Sequence, residues 1–164
     1  MDEINALSTE AFVARFGFLF EHSPWIVERA AADRPFSDVD AMHAALMQVV
    51  ADAGNGVQLA LLRAHPQLAD KVAVAEGLTA ESAAEQASAG LDQLSPEEFD
   101  TFHRRNAAYA GRFGFPFIIC VRLTDKAGIL AAMAERIRHT PEQERATAMA
   151  EVGKIVRLRL EDAL

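Results

Sequence analysis

The stretch Arg112–Val121, RFGFPFIICV, decides the fold. It is the most apolar run in the chain, and Phe117–Val121 has the composition of a buried strand. Pro116 has no backbone N–H and pushes Phe115 out of the α region, so the run turns and then extends. A strand needs a partner, and no other segment alternates apolar and polar residues with period two. Buried peptide groups are almost never left unpaired. Two readings follow. Either the run enters a buried helix or meets a short local partner, or part of its backbone lines a pocket and meets a polar ligand.

Outward from this run, nearly every segment carries helix punctuation. Ser95-Pro96-Glu97-Glu98 just upstream is the clearest start signal, with Ser95 as N-cap, Pro96 at the first helical position and Glu98 closing a capping box. Phe99, Phe102, Asn106, Tyr109 and Phe113 then recur at helical spacing as a mostly aromatic stripe. Downstream, Thr124 is expected to cap a helix through Ile129, Leu130 and Met133, and Thr140-Pro141 with Gln143 opens the last and longest one, towards Glu161. Nearer the N-terminus, helices are expected over Thr9–Phe16, from Ser23-Pro24 to before Pro35, from a Ser37/Asp40 capping box to Gly54, and over Val57–Ala64. A short turn after Pro66 precedes a helix capped by Thr79 and closed by Gly90. The expected architecture is an all-α, compact single-domain bundle of seven to eight helices spanning residues 1–164.

The composition supports this. The chain has 164 residues, 51% hydrophobic and 24% charged, an ordinary globular balance with enough length for a core. No apolar run is long enough to span a membrane, and the acidic start MDEINALSTEAF does not read as a secretory signal. The net charge of −8 argues against nucleic acid as partner, while one well-placed arginine still permits a small anionic substrate. The one cysteine, Cys120, excludes an internal disulfide, suits a reducing compartment and reads as a core residue. With an end, Glu161-Asp162-Ala163-Leu164, that lacks a peroxisomal signal, the expected location is cytoplasmic.

Three sets of residues are able to carry chemistry. His65 ends an apolar helix and is followed by Pro66; a helix C-terminus favours the protonated imidazole, which suits a proton donor and equally suits a plain C-cap. Ser82, Glu85 and Gln86 share one helical face amid alanines and offer a hydroxyl, a carboxylate and an amide. They fit an amide-like ligand, or the polar face of a surface helix. Arg159 stacks with the apolar Val152, Ile155 and Val156, so it needs an internal or a substrate carboxylate. A metal is not expected: the five histidines are scattered, and Asp40/His43 and Asp100/His103 only faintly echo di-iron spacing.

Taken together, FEHSPWIVERA (Phe20–Ala30), LLRAHPQLADK (Leu61–Lys71), SAAEQASAGLDQLSPEEF (Ser82–Phe99), NAAYAGRFGFPFIICV (Asn106–Val121) and EVGKIVRLRL (Glu151–Leu160) resemble the OHCU decarboxylase family. Its members are 2-oxo-4-hydroxy-4-carboxy-5-ureidoimidazoline decarboxylases of urate breakdown. The resemblance implies an all-helical homodimer with no metal or organic cofactor, acting on a small ureidoimidazoline. It places catalysis on His65 and Glu85 and substrate binding on Pro66, Ser82, Gln86, Phe117, Ile118, Ile119, Cys120, Val121 and Arg159. One departure is His103-Arg104-Arg105 before Asn106, where the family usually carries leucine. The competing readings are a non-catalytic helical module that binds a ureide or a partner protein, and a di-metal bundle.

Overall fold

Ser95-Pro96-Glu97-Glu98 starts a helix as its residues require. In the computed structural model, which describes residues 1–70 and 78–164, Ser95 Oγ accepts from the Glu98 N–H at 3.1 Å, and Glu98 Oε2 accepts from the Ser95 N–H at 3.3 Å. Nine α-helices are present among the described residues: α1 (Asp2–Asn5), α2 (Thr9–Phe16), α3 (Pro24–Ala30), α4 (Val39–Asp52), α5 (Gly54–Ala64), α6 (Ala80–Ser88), α7 (Pro96–Phe113), α8 (Lys126–Arg136) and α9 (Pro141–Asp162). No strand occurs among them, so the all-α expectation holds. The additional helix is the single turn α1, too short to leave a periodic signature. The turn expected between Pro66 and Thr79, and the last residue of the Leu61–Lys71 motif, fall partly on residues 71–77, outside the described residues.

Most caps lie where the side chains predict them. Thr79 Oγ1 accepts from the Ser82 N–H at 3.3 Å. Thr140 and Gln143 exchange reciprocal bonds at 3.0 and 3.2 Å. Two caps shift by one residue. Helix α4 is capped by Asp38, whose carboxylate accepts from the Ala41 N–H at 2.8 Å, rather than by Ser37, which donates to Asp38 instead. Helix α8 is capped by Asp125, through the Gly128 N–H at 2.8 Å, rather than by Thr124. Between neighbouring candidates the carboxylate wins, because its charge also meets the positive helix end. Gly128 makes the second cap possible: a Cβ there would lie 2.1 Å from Thr124 Oγ1. Ser23 precedes α3 without a side-chain cap bond, leaving Pro24 alone to preset the first turn.

The backbone groups into two compact units, Met1–Ala64 with Gly153–Leu164, and His65–Val152. In the first, α3 packs on α2 and α4, and α4 on α5. Phe12 meets Phe16 at 5.0 Å and Phe36 at 6.2 Å between ring centroids. Asn5 ties the entry to Phe36 by a reciprocal pair of amide bonds, each 2.9 Å. His43 Nε2 lies 2.8 Å from the Gly153 carbonyl.

In the second unit, α7 packs on α8 and α6 on a 3-10 turn at Val121–Leu123. The aromatic stripe is core: Phe102, Asn106 and Tyr109 are buried. Tyr109 meets Phe113 at 4.7 Å and Phe117 edge-on at 5.1 Å. Helix α7 ends at Gly114, whose φ of 78° lies in the left-handed region and whose N–H returns to Ala110 at 2.8 Å. The chain then runs extended through Phe117–Cys120 without joining a sheet.

The shifted cap is directly testable. Asp125→Ala should lower unfolding free energy by about 1 kcal/mol, and Thr124→Ala by clearly less, in urea denaturation.

Candidate functional site

His65 is the first residue after α5 and is half-buried. Beyond Pro66 the loop is held by two side-chain amides. Asn106 Nδ2 of α7 donates to the Leu68 carbonyl at 2.8 Å, and the Ala69 N–H donates to Gln86 Oε1 of α6 at 3.1 Å. Ala69 has a φ of 58°, unusual for a residue with a Cβ.

The polar face of α6 is turned inward. Ser82 is 5% and Gln86 7% exposed, which removes the surface-helix reading of this face; Glu85 is half-buried. Gln86 Oε1 is committed to Ala69, and its Nε2 donates to no described residue. A cavity of about 400 Å³ opens beside Gln86 on the Ala83/Ala87 side of α6, lined in part by Ala69, Leu91 and Phe99; Gln86 lines it, and His65, Ser82, Glu85 and the Phe117–Val121 run do not. That volume lies in the range of small-molecule pockets.

Helix α6 packs on the 3-10 turn Val121–Leu123, and Glu85 is close enough for its carboxylate to act on the Cys120 thiol. Of the extended run, Phe117, Ile118, Cys120 and Val121 are buried and Ile119 is half-buried. Its peptide groups are divided between uses. The Ile118 carbonyl accepts from Arg136 at 2.7 Å, and the Cys120 N–H donates to Glu151 at 2.8 Å. The Cys120 carbonyl accepts from the Leu123 N–H at 3.0 Å. Neither peptide group of Ile119 has a partner among the described residues. Burial first, then the Glu151 carboxylate and more weakly that of Glu85, pushes the Cys120 thiol above its usual range. Cys120 therefore stays a thiol at neutral pH, as a core residue should.

Behind the run lies a buried ionic cluster. Arg136, 6% exposed, donates from Nε to Glu144 Oε1 at 2.7 Å, and its guanidinium sits 4.3 Å over the Phe117 ring. Glu144 is fully enclosed; it also accepts from the Tyr109 hydroxyl and lies 2.9 Å from His139 Nδ1. Burial and the hydrogen bond to Glu144 push the Tyr109 hydroxyl far up, so it remains a donor at all ordinary pH.

Arg159 belongs to the other unit. It is 4% exposed, and it donates to Glu21 at 3.1 Å and to the Phe18 and Leu19 carbonyls at 3.4 Å. The internal carboxylate anticipated for this inward-facing cation is Glu21. Among the described residues no group of three or more His, Cys, Asp or Glu comes together as a metal site. Asp40 is instead paired with Arg157, His43 is bound to a carbonyl, and His103 stacks on Phe99 at 6.0 Å. No single described helix is long and apolar enough to cross a membrane.

Sequence reasoning assigned no role to Asn106, Glu151, Arg136 or Glu144. Asn106 was visible as the one amide within an aromatic stripe. Glu151 was visible as a second charged residue on the apolar side that also carries Arg159. Arg136 and Glu144 left no signal, because one ends a helix and the other begins one, where charges are ordinary.

Comparison with known proteins bears on this arrangement. A family model described as OHCU decarboxylase matches residues 5–161. A 2-oxo-4-hydroxy-4-carboxy-5-ureidoimidazoline decarboxylase from Haloferax volcanii is 44% identical, over 98% of this chain and 93% of that protein. The uric acid degradation bifunctional protein PucL of Bacillus subtilis is 37% identical over 100% of this chain and 32% of that protein. Among solved structures, an (S)-allantoin synthase superposes with a TM-score of 0.80 at 28% identity, over 99% of this chain and 53% of that one.

The buried cluster predicts its own cost. Glu144→Ala leaves Arg136 charged and unpaired, and should destabilise the protein by about 3–5 kcal/mol in equilibrium denaturation.

Proposed function

Because the chain belongs to the OHCU decarboxylase family, we propose that His65 and Glu85 carry the proton transfers of its reaction, with His65 the donor. The reaction is the decarboxylation of 2-oxo-4-hydroxy-4-carboxy-5-ureidoimidazoline to allantoin in urate degradation, with (S)-allantoin as the enantiomer. One observation carries the site reading: the bond between Gln86 and Ala69 ties the helix that bears Glu85 to the loop that begins at His65.

The substrate has a carboxylate and a hydroxyl on one ring carbon, beside a ring C=N. When the bond to the carboxylate breaks and CO2 leaves, its electron pair forms a double bond between the two ring carbons. The C=N electrons move onto nitrogen, which takes a proton. The neighbouring C=N thus serves as the electron sink, so the chemistry calls for no cofactor. The hydroxyl proton is then lost and the adjacent ring carbon is protonated from one face. A positioned imidazolium suits that last step, since general acid catalysis needs a donor within hydrogen-bond reach and near the working pH. The position of His65 at a helix C-terminus supports its protonated form.

Gln86 offers its Nε2, Ser82 a buried hydroxyl, and Ile119 both peptide groups to the ring and ureido amides. Pro66 and the remaining residues of Phe117–Val121 supply the wall. Binding of a substrate or product oxygen by Arg159 is a separate proposal, carried by the family resemblance alone. The resemblance likewise supports a homodimer and a cytoplasmic location.

The test generates the substrate in place from urate with uricase and hydroxyisourate hydrolase and follows the circular dichroism of allantoin. Rapid build-up of one enantiomer is expected; slow racemic product would instead fit a ureide-binding module. His65→Ala should lower turnover by about 10²–10⁴, and near-normal turnover would remove His65 from the mechanism. Arg159→Lys keeps the charge but loses the planar fork, so (S)-allantoin affinity should fall in calorimetry.

A further inference from the structure

We propose that Asn106 is a positioning residue for the reaction, acting through the Leu68–Ala69 peptide, which it clamps together with Gln86. The inference rests on the assignment of His65 and Gln86 to the site, and extends it to a residue that touches neither the substrate nor the reacting atoms. A peptide unit is a rigid plane, and its oxygen and hydrogen point in opposite directions. Here the two ends of one plane are held by side chains from two different helices. Asn106 Nδ2 of α7 takes the Leu68 oxygen at 2.8 Å, and Gln86 Oε1 of α6 takes the Ala69 hydrogen at 3.1 Å. With both ends held, the plane cannot rotate without breaking a bond.

The plane needs holding. Ala69 has a φ of 58°, a left-handed conformation that alanine avoids because its Cβ crowds the backbone. Released, the residue would return to negative φ, and the preceding segment would swing with it. That segment is short and stiff. Pro66 has its φ locked, and His65, preceding a proline, is itself restricted. Only the dihedrals of Gln67 and Leu68 separate the clamped plane from the Pro66 that follows the imidazole-bearing residue. Fixing the plane therefore fixes where His65 points.

Asn106 also shows what it is kept for. It is 2% exposed within an aromatic stripe, and its Oδ1 is buried with no hydrogen-bond partner among the described residues. An unpaired buried acceptor is a cost that leucine, of similar size, would not carry. The donor is thus the working half of this side chain, and its recipient among the described residues is the Leu68 carbonyl.

The experiment is Asn106→Leu, read by three measurements. Turnover should fall about 10–100-fold, the scale expected when a catalytic group is displaced by an ångström or less. KM should change by less than about threefold, since no substrate contact is removed. Hydrogen exchange of the Ala69 amide should accelerate while the midpoint of thermal unfolding stays close to wild type. Adding Ala69→Gly to Asn106→Leu should recover part of the turnover, because glycine adopts positive φ without strain; a residue that only supported packing would show no such rescue. Should Asn106→Leu fail to fold, Asn106→Ser, whose shorter side chain withdraws the donor from the Leu68 carbonyl, should lose turnover with the same unchanged KM. Wild-type turnover in Asn106→Leu, where His65→Ala has lost it, overturns the clamp and leaves the site reading intact. If His65→Ala keeps its turnover, the site reading falls, and unchanged Ala69 exchange in Asn106→Leu then overturns the clamp independently.

Discussion

The guanidinium of Arg136 donates to the Ile118 carbonyl at 2.7 Å and lies over the Phe117 ring, and the second unit is arranged around that contact. An extended segment inside a helical protein has no neighbouring strand to pair with, yet its peptide groups cannot go unpaired at depth. A side chain must reach them. Arginine can, but a buried cation needs a counter-charge, so Glu144 is enclosed beside it. A buried carboxylate in turn needs donors for its remaining lone pairs, which Tyr109 and His139 meet. Each requirement generates the next. The chain of consequences ends on Tyr109, whose ring packs edge-on against Phe117 and so closes the loop. Breaking such a set at one member leaves an uncompensated charge, a far larger penalty than the net worth of the intact pair.

Satisfying an extended run by side chains differs from satisfying it by a sheet. A sheet spends peptide groups in a fixed rhythm, whereas side chains spend them one at a time. Here Arg136 uses the Ile118 oxygen and Glu151 uses the Cys120 N–H, while the two groups of Ile119 between them meet no partner among the described residues. Glu151 does more than hold the backbone. It adds to the effect of burial in pushing the Cys120 thiol up, with a weaker contribution from Glu85, so this sulfur is chemically quiet. The run is rigid because its neighbours are committed, and receptive because one residue is not.

The local signals were legible and the long-range ones were not. Ser95-Pro96-Glu97-Glu98, Thr79 and Thr140 were readable because a cap is settled within four residues. The misplacements at Ser37/Asp38 and Thr124/Asp125 occurred where two cap-forming residues are adjacent, and only the approach of the chain decides which oxygen faces the N–H groups. The aromatic stripe of α7 was readable as core from its spacing. The four polar residues that organise the second unit were a different matter. Asn106 bonds a residue 38 positions away and Glu151 one 31 away; no periodicity encodes such a pairing. For His65 and the Ser82, Glu85, Gln86 face, local chemistry left plain alternatives open. The ordered set of motifs, rather than any one residue type, carries the family resemblance on which the proposed site rests.

The face of α6 illustrates how prior commitment converts an ambiguous side chain into a specific one. A free glutamine offers a donor and an acceptor in either orientation and discriminates little. Once its oxygen is held by the Ala69 N–H, only the donor end remains. Glu85, the preceding residue of the same helix, is acceptor-only when ionised. A ureide is the complement of this pair: one carbonyl oxygen flanked by N–H groups. In the proposed site, recognition of that pattern rests on side chains whose hydrogen-bonding roles are set before the ligand arrives, which is the condition for selectivity without a conformational search.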